Sequence, residues 1–323
     1  MLAALVLLAA ATSASSIQAQ PRDVSARLCF LTFDPENSRS TRYAGFFARL
    51  GDLGYIDGQN LRINYMSADG RNDRYPALVD ECLKQRPDVI VASTTPAAQA
   101  AKRATATIPI VMLALGDPVG TGLVSSLARP GANVTGLSFM APGVGIKRLE
   151  LLKEMLPTTA RVLVLTHRAD PISAGQIAEL EAAARSLSLA LAIHDVNTID
   201  DLAKGFEAGV RAKADAFVTT TEAIFAINRD QLVAEARRHA LPGVLGHQVI
   251  VEAGALMSFS AVFPALYARA AAYVDKILKG ARPSDLPIEQ PTEFALTVNL
   301  KAARELGIVL PHSILLRADN VIE

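Results

Sequence analysis

Residues Asp88–Gly122 read DVIVASTTPAAQAAKRATATIPIVMLALGDPVGTG and predict a strand, a helix and a second strand. Val89–Ala92 is a short, mostly β-branched apolar run, typical of a strand that is buried on both faces. The alanine-rich Ala97–Ala104 predicts a helix with Pro96 at its start, and Ile110–Leu115 predicts the next strand. This order is a βαβ unit, whose crossover is right-handed.

Polar residues follow both strands of this unit, where a small molecule could bind. Ser93, Thr94 and Thr95 stand at the start of the helix, and their hydroxyls and free N–H groups suit a carboxylate. Thr95 is also the expected N-cap, and loop hydroxyls often satisfy nearby backbone groups instead. Asp117 ends the second strand and suits an ammonium group, although an Asp before Pro118 also initiates turns.

The composition is that of a folded globular protein larger than one compact core. The chain has 323 residues, of which 50% are hydrophobic, so two lobes or domains are expected. The 32 basic residues balance the 32 acidic ones and Trp is absent, so the chain lacks the basic surplus and stacking platforms of nucleic-acid-binding proteins. We expect no nucleic-acid partner.

Strands and helices alternate along the chain in two consecutive series. The first runs from the strand Arg27–Phe33 to the strand Val134–Phe139, and the second starts with a helix at Gly145. Within them we expect helices at Ser125–Ala128 and Ile224–His239. Each series is long enough for its own doubly wound parallel sheet, so we predict an α/β protein with two Rossmann-like lobes. Ligands of such sheets bind outside the carboxyl ends of the strands, so both sheets should line one cleft.

The loops after the other strands supply further candidates for ligand contacts. Thr32 and Phe33 end the first strand, and Phe33 either packs on an apolar part of the ligand or belongs to the core. In the second series, Thr166 and His167 end another strand. A single His is more often a structural or surface residue than a ligand contact.

Four more candidates lie further along the second series. Thr221 and Glu222 follow one strand, and His247 and Gln248 lie in the loop before the chain crosses back. Glu222 could hold an amino group, or it could be an acid favoured at a helix start by the dipole. Gln248 can both donate and accept hydrogen bonds.

The first residues resemble a secretory leader. Met1–Ala11 is almost purely apolar and Thr12–Gln20 is small and polar, although no Lys or Arg precedes the apolar run. The alternative is a membrane anchor, but the run is shorter than the ~20 residues that a span needs. Cys29 and Cys82 could pair in an oxidising compartment, but we expect two buried thiols, because the sequence does not tell whether they meet.

The motifs of common enzyme classes are absent from the sequence. It has no G-x-S-x-G elbow, no H-E-x-x-H, no P-loop, and no G-x-G-x-x-G after a strand. No Cys or His pairs have metal-site spacing, and nothing supplies an activated nucleophile. We therefore expect neither an enzyme nor a cofactor.

Ten segments spread over nearly the whole chain carry a family resemblance. They are Gly54-Tyr55 to Asn60, Asp88 to Ala101, Ile108–Val111, Asp117-Pro118-Val119, Leu127–Gly136 (LARPGANVTG), Lys147–Leu152 (KRLELL), Val251–Ser258 (VEAGALMS), Ala271–Pro283 (AAYVDKILKGARP), Leu286–Phe294 and Asn299–Gly307. Together they resemble the TrpX-like substrate-binding proteins of ABC transporters.

The resemblance implies a type I periplasmic-binding fold with three crossings between the lobes. It implies a leader at 1–20, a first lobe at 24–138 plus about 261–290, a second lobe at 139–260 plus about 291–310, and a C-terminal tail at 311–323. It also implies a periplasmic monomer that delivers a small solute, an amino acid or related carboxylate, to an ABC permease driven by its ATPase.

Ligand identity does not carry over from the resemblance. The best-understood members are similar in binding aromatic amino acids, but most members have no assigned ligand. The second-lobe loops Thr166-His167-Arg168 and Thr219–Glu222 differ from the Asn-Pro and Pro-Asp loops expected there. Two other functions share the architecture: the ligand-sensing domain of a regulator, and a two-lobe enzyme such as a transferase. A helix-turn-helix before the first strand would favour the regulator, and a catalytic cluster would favour the enzyme.

Overall fold

The computed structural model describes residues 26–141 and 143–323, so the predicted leader lies outside the described residues. The strands are β1 (Ala26–Thr32), β2 (Leu61–Ser67), β3 (Val89–Ala92), β4 (Ile110–Leu115), β5 (Val134–Ser138), β6 (Arg161–Thr166), β7 (Ala190–Asp195), β8 (Ala216–Thr219), β9 (Gly243–Leu245), β10 (Met257–Ala261), β11 (Phe294–Asn299) and β12 (Asn320–Ile322). The helices are α1 (Ala44–Asp52), α2 (Tyr75–Lys84), α3 (Thr95–Ala104), α4 (Val144–Met155), α5 (Ser173–Ser186), α6 (Asp201–Arg211), α7 (Ala223–Ile227), α8 (Arg229–Arg238), α9 (Gln248–Glu252), α10 (Phe263–Leu278), α11 (Leu300–Glu305) and α12 (His312–Arg317).

The first sheet has five strands in the order β2-β1-β3-β4-β5, and all its pairs are parallel. β3 and β4 have the predicted bounds, and both are buried along their whole length. Helices α2 and α3 pack on one face of the sheet, and α1 and α10 pack on the other. We call this sheet and its four helices the first lobe.

The second sheet has seven strands in the order β12-β11-β10-β9-β8-β6-β7. Its strands are parallel except for the antiparallel pair β10–β11. Helices α4, α5, α11 and α12 cover one face, and α6 to α9 cover the other. We call this sheet and its helices the second lobe. The chain passes between the lobes after β5, after β10 and after α10, which agrees with the predicted α/β fold class.

The structure differs from the predicted elements where side chains satisfy loop backbone. The helix expected at Ser125–Ala128 is wrong, because the hydroxyls of Ser125 and Ser126 bond to the Arg129 carbonyl in a turn. The helix expected over Ile224–His239 is two helices, which meet at Asn228. Residues 311–323, predicted as a tail, contain α12 and β12, and β12 pairs with β11.

The two cysteines form a disulfide, which corrects the expectation of two free thiols. Cys29 in β1 and Cys82 in α2 have Cα atoms 6.0 Å apart, and both are fully buried. Parallel strands in this order place α2 directly on the face of β1 that carries Cys29. The bond therefore ties the first strand of the first lobe to one of its covering helices.

Candidate functional site

A narrow cleft lies between the carboxyl ends of the strands of the two lobes. Its lining comes from both lobes: Arg42, Ser93, Thr94, Thr95, Ala114, Leu115, Gly116, Phe139, Asp170, Ile172, Thr221, Glu222, Ala223, His247, Phe263 and Tyr267. The enclosed volume is about 20 Å³, enough for roughly one water molecule. The lobes are therefore close together in this structure.

The start of α3 contributes the hydroxyl loop that the sequence singled out. Thr94, and not Thr95 as predicted, is the N-cap, because its extended backbone lets Oγ1 accept from the Ala97 N–H at 3.4 Å. The same hydroxyl bonds to Tyr75 at 2.8 Å, so Thr94 is held in place. The Ser93 hydroxyl is buried at the cleft and lies near the Tyr43 hydroxyl, without a hydrogen bond of normal geometry to any described residue.

A buried ion pair stands beside this loop. Arg42 Nη1 donates to Asp34 Oδ1 at 3.2 Å, and Arg42 Nε donates to the Tyr267 hydroxyl at 3.3 Å. The Asp34 side chain is fully buried, and that of Arg42 is 19% exposed. Burial alone would lower the pKa of Arg42, but Asp34 and Tyr267 raise it well above its usual value. The guanidinium therefore stays charged at the cleft wall.

Glu222 is the central acid of the second-lobe side. Its Oε2 accepts a short hydrogen bond from the Thr220 hydroxyl, and its Oε1 accepts from Gln176 Nε2 at 3.3 Å. Gln176 in turn accepts from the Thr221 N–H at 2.9 Å, which fixes the loop after β8. Burial and the nearby Asp170 raise the pKa of Glu222 to about 8, although the Thr220 hydrogen bond partly lowers it.

Asp170 is a second buried acid at the same wall, in the loop that follows β6. The α5 helix begins at Ser173, and the Asp170 carboxylate accepts from the Ile172 N–H at 3.2 Å in the turn before it. Burial raises the pKa of Asp170 to about 7. The second lobe thus presents two carboxyl groups that lack a cation to neutralise them at ion-pair distance among the described residues.

His247 lies deep between the two lobes and is neutral. Burial, together with the positive charges of Arg42 and Arg148, lowers its pKa to about 3. Its ring packs in a tilted arrangement on Phe263, with the ring centroids 5.0 Å apart, and Phe263 lines the cleft together with Phe139 and Tyr267. These rings form an apolar wall next to the charged groups.

Four predicted residues lie in the packing around the cleft and not in its lining. Thr32 donates to the Tyr43 hydroxyl at 3.0 Å, and Phe33 packs into the core of the second lobe. His167 contacts Asn72 of the first lobe at 3.2 Å, and Thr166 is buried beside it. Phe33 and His167 therefore connect the lobes where they meet.

Two predicted residues are placed away from the cleft. The exposed Asp117 accepts from the N–H groups of Val119 and Gly120, so it serves the turn that follows β4. Gln248 donates to Glu252 at 2.9 Å within α9. In both cases local partners two to four residues away take up the side chain.

Sequence patterns did not predict that Arg42, Asp170 and the aromatic wall belong to the site. Arg42 stands on no predicted motif, and one of its partners, Tyr267, is 225 residues away. For Asp170 a signal existed, because it belongs to the loop after a second-lobe strand, where ligand contacts are expected. Over the residues that the structure describes, no helix could cross a membrane and no His, Cys, Asp and Glu cluster could hold a metal ion.

Three comparisons with known proteins agree with this architecture. A family model described as ABC transporter substrate binding protein matches residues 31–322. The tyrosine-binding protein of Clostridioides difficile (strain R20291) is 27% identical over 278 residues, which cover 86% of this chain and 78% of that protein.

Two solved structures match the fold of this chain to different degrees. The ABC domain from Streptococcus pneumonia in complex with L-Trp is 28% identical, with a TM-score of 0.85 over 92% of this chain and 100% of that one. The ligand-free, open structure of a substrate binding protein with adhesive properties from Clostridium difficile is 26% identical, with a TM-score of 0.65 over 92% and 99%. These relatives bind solutes and are not enzymes.

Proposed function

Because the chain belongs to the family of ABC transporter substrate-binding proteins, which are extracytoplasmic, we propose that it captures an amino acid with an aromatic or other large apolar side chain. One observation carries the proposal: the cleft places a cation and a helix start on one wall and two buried acids on the other. A zwitterion matches both walls.

The carboxylate end of the solute is assigned to the first lobe. Its oxygens would accept from the Ser93 hydroxyl, from N–H groups at the start of α3 near Thr95, and from Arg42. Arg42 uses Nε and Nη1 for Tyr267 and Asp34, and no described residue takes a hydrogen bond from Nη2. Helix starts and guanidinium groups both favour an anion.

The ammonium end is assigned to Glu222 and Asp170 in the second lobe. Each is a carboxyl group whose pKa is raised by burial, and no described residue places a cation at ion-pair distance from it. An ammonium group between them would supply that charge. The apolar part of the solute would then lie against Phe139 and Phe263. The tyrosine-binding and L-Trp-bound relatives support an aromatic amino acid.

Hinge closure between the lobes would trap the solute. The chain matches the L-Trp complex better than the open, ligand-free structure, at nearly equal sequence identity. With about 20 Å³ in the cleft, the lobes must separate for an amino acid to enter. The contact between His167 and Asn72 would break on opening.

The closed protein would deliver its solute, as a periplasmic monomer, to an ABC permease and its ATPase. The buried disulfide between Cys29 and Cys82 supports an oxidising compartment, because disulfides persist outside the cytoplasm. The predicted leader at 1–20 would direct export. The cleft mouth, where both lobes meet, is the surface that changes most on closure and suits permease recognition.

Calorimetric titration of the purified protein without residues 1–20 tests the proposal. L-Trp, L-Tyr and L-Phe should bind, while the matching amine without the carboxylate and the matching acid without the amino group should bind at least tenfold more weakly. Failure of all three amino acids to bind would contradict the proposed solute class. Binding of the amine and of the acid as tight as that of the amino acid would contradict the assignment of the two walls.

Affinity for these amino acids should increase with pH. Burial raises the pKa of Asp170 to about 7 and of Glu222 to about 8, so both are largely protonated at pH 6. An ammonium group favours the ionised carboxylates, so binding releases protons, and Kd should fall about 25-fold from pH 6.5 to 7.5 if both groups ionise, or about eightfold if Glu222 alone does. Titration in buffers of different ionisation enthalpy counts the protons. A flat Kd with no proton release would contradict this prediction.

A further inference from the structure

Arg148, on α4, is a buried cation that the proposed contacts leave unused. The residue is 5% exposed, and its Nε donates to the Phe259 carbonyl at 2.9 Å. Across residues 26–141 and 143–323, neither of its Nη groups has a hydrogen-bond partner, and no carboxylate lies within 4.0 Å of it. Burying a charge without such partners is costly, so the arrangement needs a reason.

The two acids that act electrostatically on Arg148 each accept hydrogen bonds from other groups, and one of them, Glu179, lines the same pocket as Arg148. Glu179 accepts from the Gly143 N–H at 2.8 Å, and Glu222 accepts from Thr220 and Gln176. Burial lowers the pKa of Arg148 to about 10, and these two acids only partly offset that effect from a distance. His247 is neutral and offers no negative charge.

Arg148 also lines a small pocket that continues from the cleft. The two share Phe139, Thr221 and Phe263 as lining residues, and the pocket encloses about 20 Å³. Gly246 keeps the space beside the guanidinium free, because a Cβ there would stand 3.3 Å from Arg148 Cζ and Nη1. The Nη groups therefore face a space that holds about one water molecule in this structure, and it would have to widen with the cleft to admit a carboxylate.

We propose that Arg148 forms an anion subsite for a carboxylate at the far end of the cleft. The planar guanidinium offers two parallel N–H donors, which match the two oxygens of a carboxylate. The carboxylate can come from two sources. The first is a second acidic group on the captured amino acid, and for this source the inference rests on the proposed function. The second is a free carboxylate ion that binds beside the solute.

Matched solutes test the first source. L-Phe is compared with 4-carboxy-L-phenylalanine, and L-norleucine with L-2-aminoadipate, by calorimetric titration. The acidic member of at least one pair should bind at least tenfold more tightly to the unchanged protein. The Arg148→Gln variant should lose that preference and bind the uncharged member within about threefold of the unchanged protein. Arg185→Gln, an exposed arginine of the same lobe, should change nothing.

Sodium formate tests the second source, with sodium chloride keeping ionic strength constant. Formate should raise the melting temperature of the unchanged protein and of Arg185→Gln, but not of Arg148→Gln, if a free ion fills the subsite. Should Arg148→Gln fail to fold, Arg148→Lys keeps the charge but loses the two-pronged geometry, and should weaken either response.

The outcomes separate this inference from the proposed function. Absence of any amino-acid binding, together with formate stabilisation that depends on Arg148, would overturn the proposed function and keep the subsite. Amino-acid binding with equal affinities in both pairs, and no stabilisation by formate, would overturn the subsite and keep the proposed function.

Discussion

Replacing Glu222 with Gln should weaken binding of an aromatic amino acid by about 30-fold or more. The change removes a buried carboxylate that we assign to the ammonium group, while the amide keeps nearly the same shape between Thr220 and Gln176. Loss of one partner of a buried charged hydrogen bond costs roughly 2–5 kcal/mol, and each 1.4 kcal/mol is tenfold in Kd. Calorimetric titration at pH 7.5 measures the effect.

The matched control is Glu181→Gln, an exposed carboxylate on α5 of the same lobe, which should leave Kd unchanged.

The stability of the variant shows whether lost binding is caused by lost folding. The pKa of Glu222 rises from 4.5 to about 8 in the folded protein, so its contribution to stability is present below about 4.5 and lost as pH rises through 8. The free energy of unfolding of Glu222→Gln should therefore fall less between pH 5 and 8 than that of the unchanged protein. A variant that folds and binds normally would move the ammonium site elsewhere.

Local patterns were enough to predict most of the fold. The bounds of β3 and β4 follow from apolar runs that end in polar or glycine-containing loops, and that signal lies within a few residues. The N-cap of α3 was misplaced by one residue because Thr94 and Thr95 carry the same hydroxyl. Only the backbone angles decide between them, and the extended conformation belongs to Thr94.

The candidate site was predicted less completely, because burial of charge depends on distant partners. Ser93, Glu222 and His247 were found as strand-end residues, and they do line the cleft. Arg42 and Arg148 were missed because their partners lie far away along the chain. Asp34 and Tyr267 hold Arg42, and the Phe259 carbonyl holds Arg148. The neighbouring residues in the sequence do not indicate these contacts.

Removing the disulfide should lower the free energy of unfolding of the first lobe by about 4 kcal/mol. Cys29 and Cys82 are 53 residues apart, and the loop-entropy relation gives this magnitude for a loop of that length. Cys29→Ala/Cys82→Ala also removes two buried sulfur atoms, so its loss should be at least as large. Urea denaturation monitored by circular dichroism measures this free energy. Thermal denaturation should show a melting temperature that is lower by on the order of 10 °C or more.

Reduction of the unchanged protein separates cross-linking from packing, because both sulfur atoms remain in place. If the chain entropy of the unfolded state dominates, the reduced protein should lose nearly as much stability as the double variant. Equal stability of the reduced and oxidised forms would show that the bond adds nothing to the packed core. The bond joins β1, whose carboxyl end leads to Thr32 and Asp34 behind Arg42, to α2, whose Tyr75 holds Thr94. The disulfide therefore connects the two elements that hold Arg42 and Thr94 at the proposed carboxylate site. Reduction should weaken solute binding at temperatures near the melting transition, because these two elements are then no longer linked.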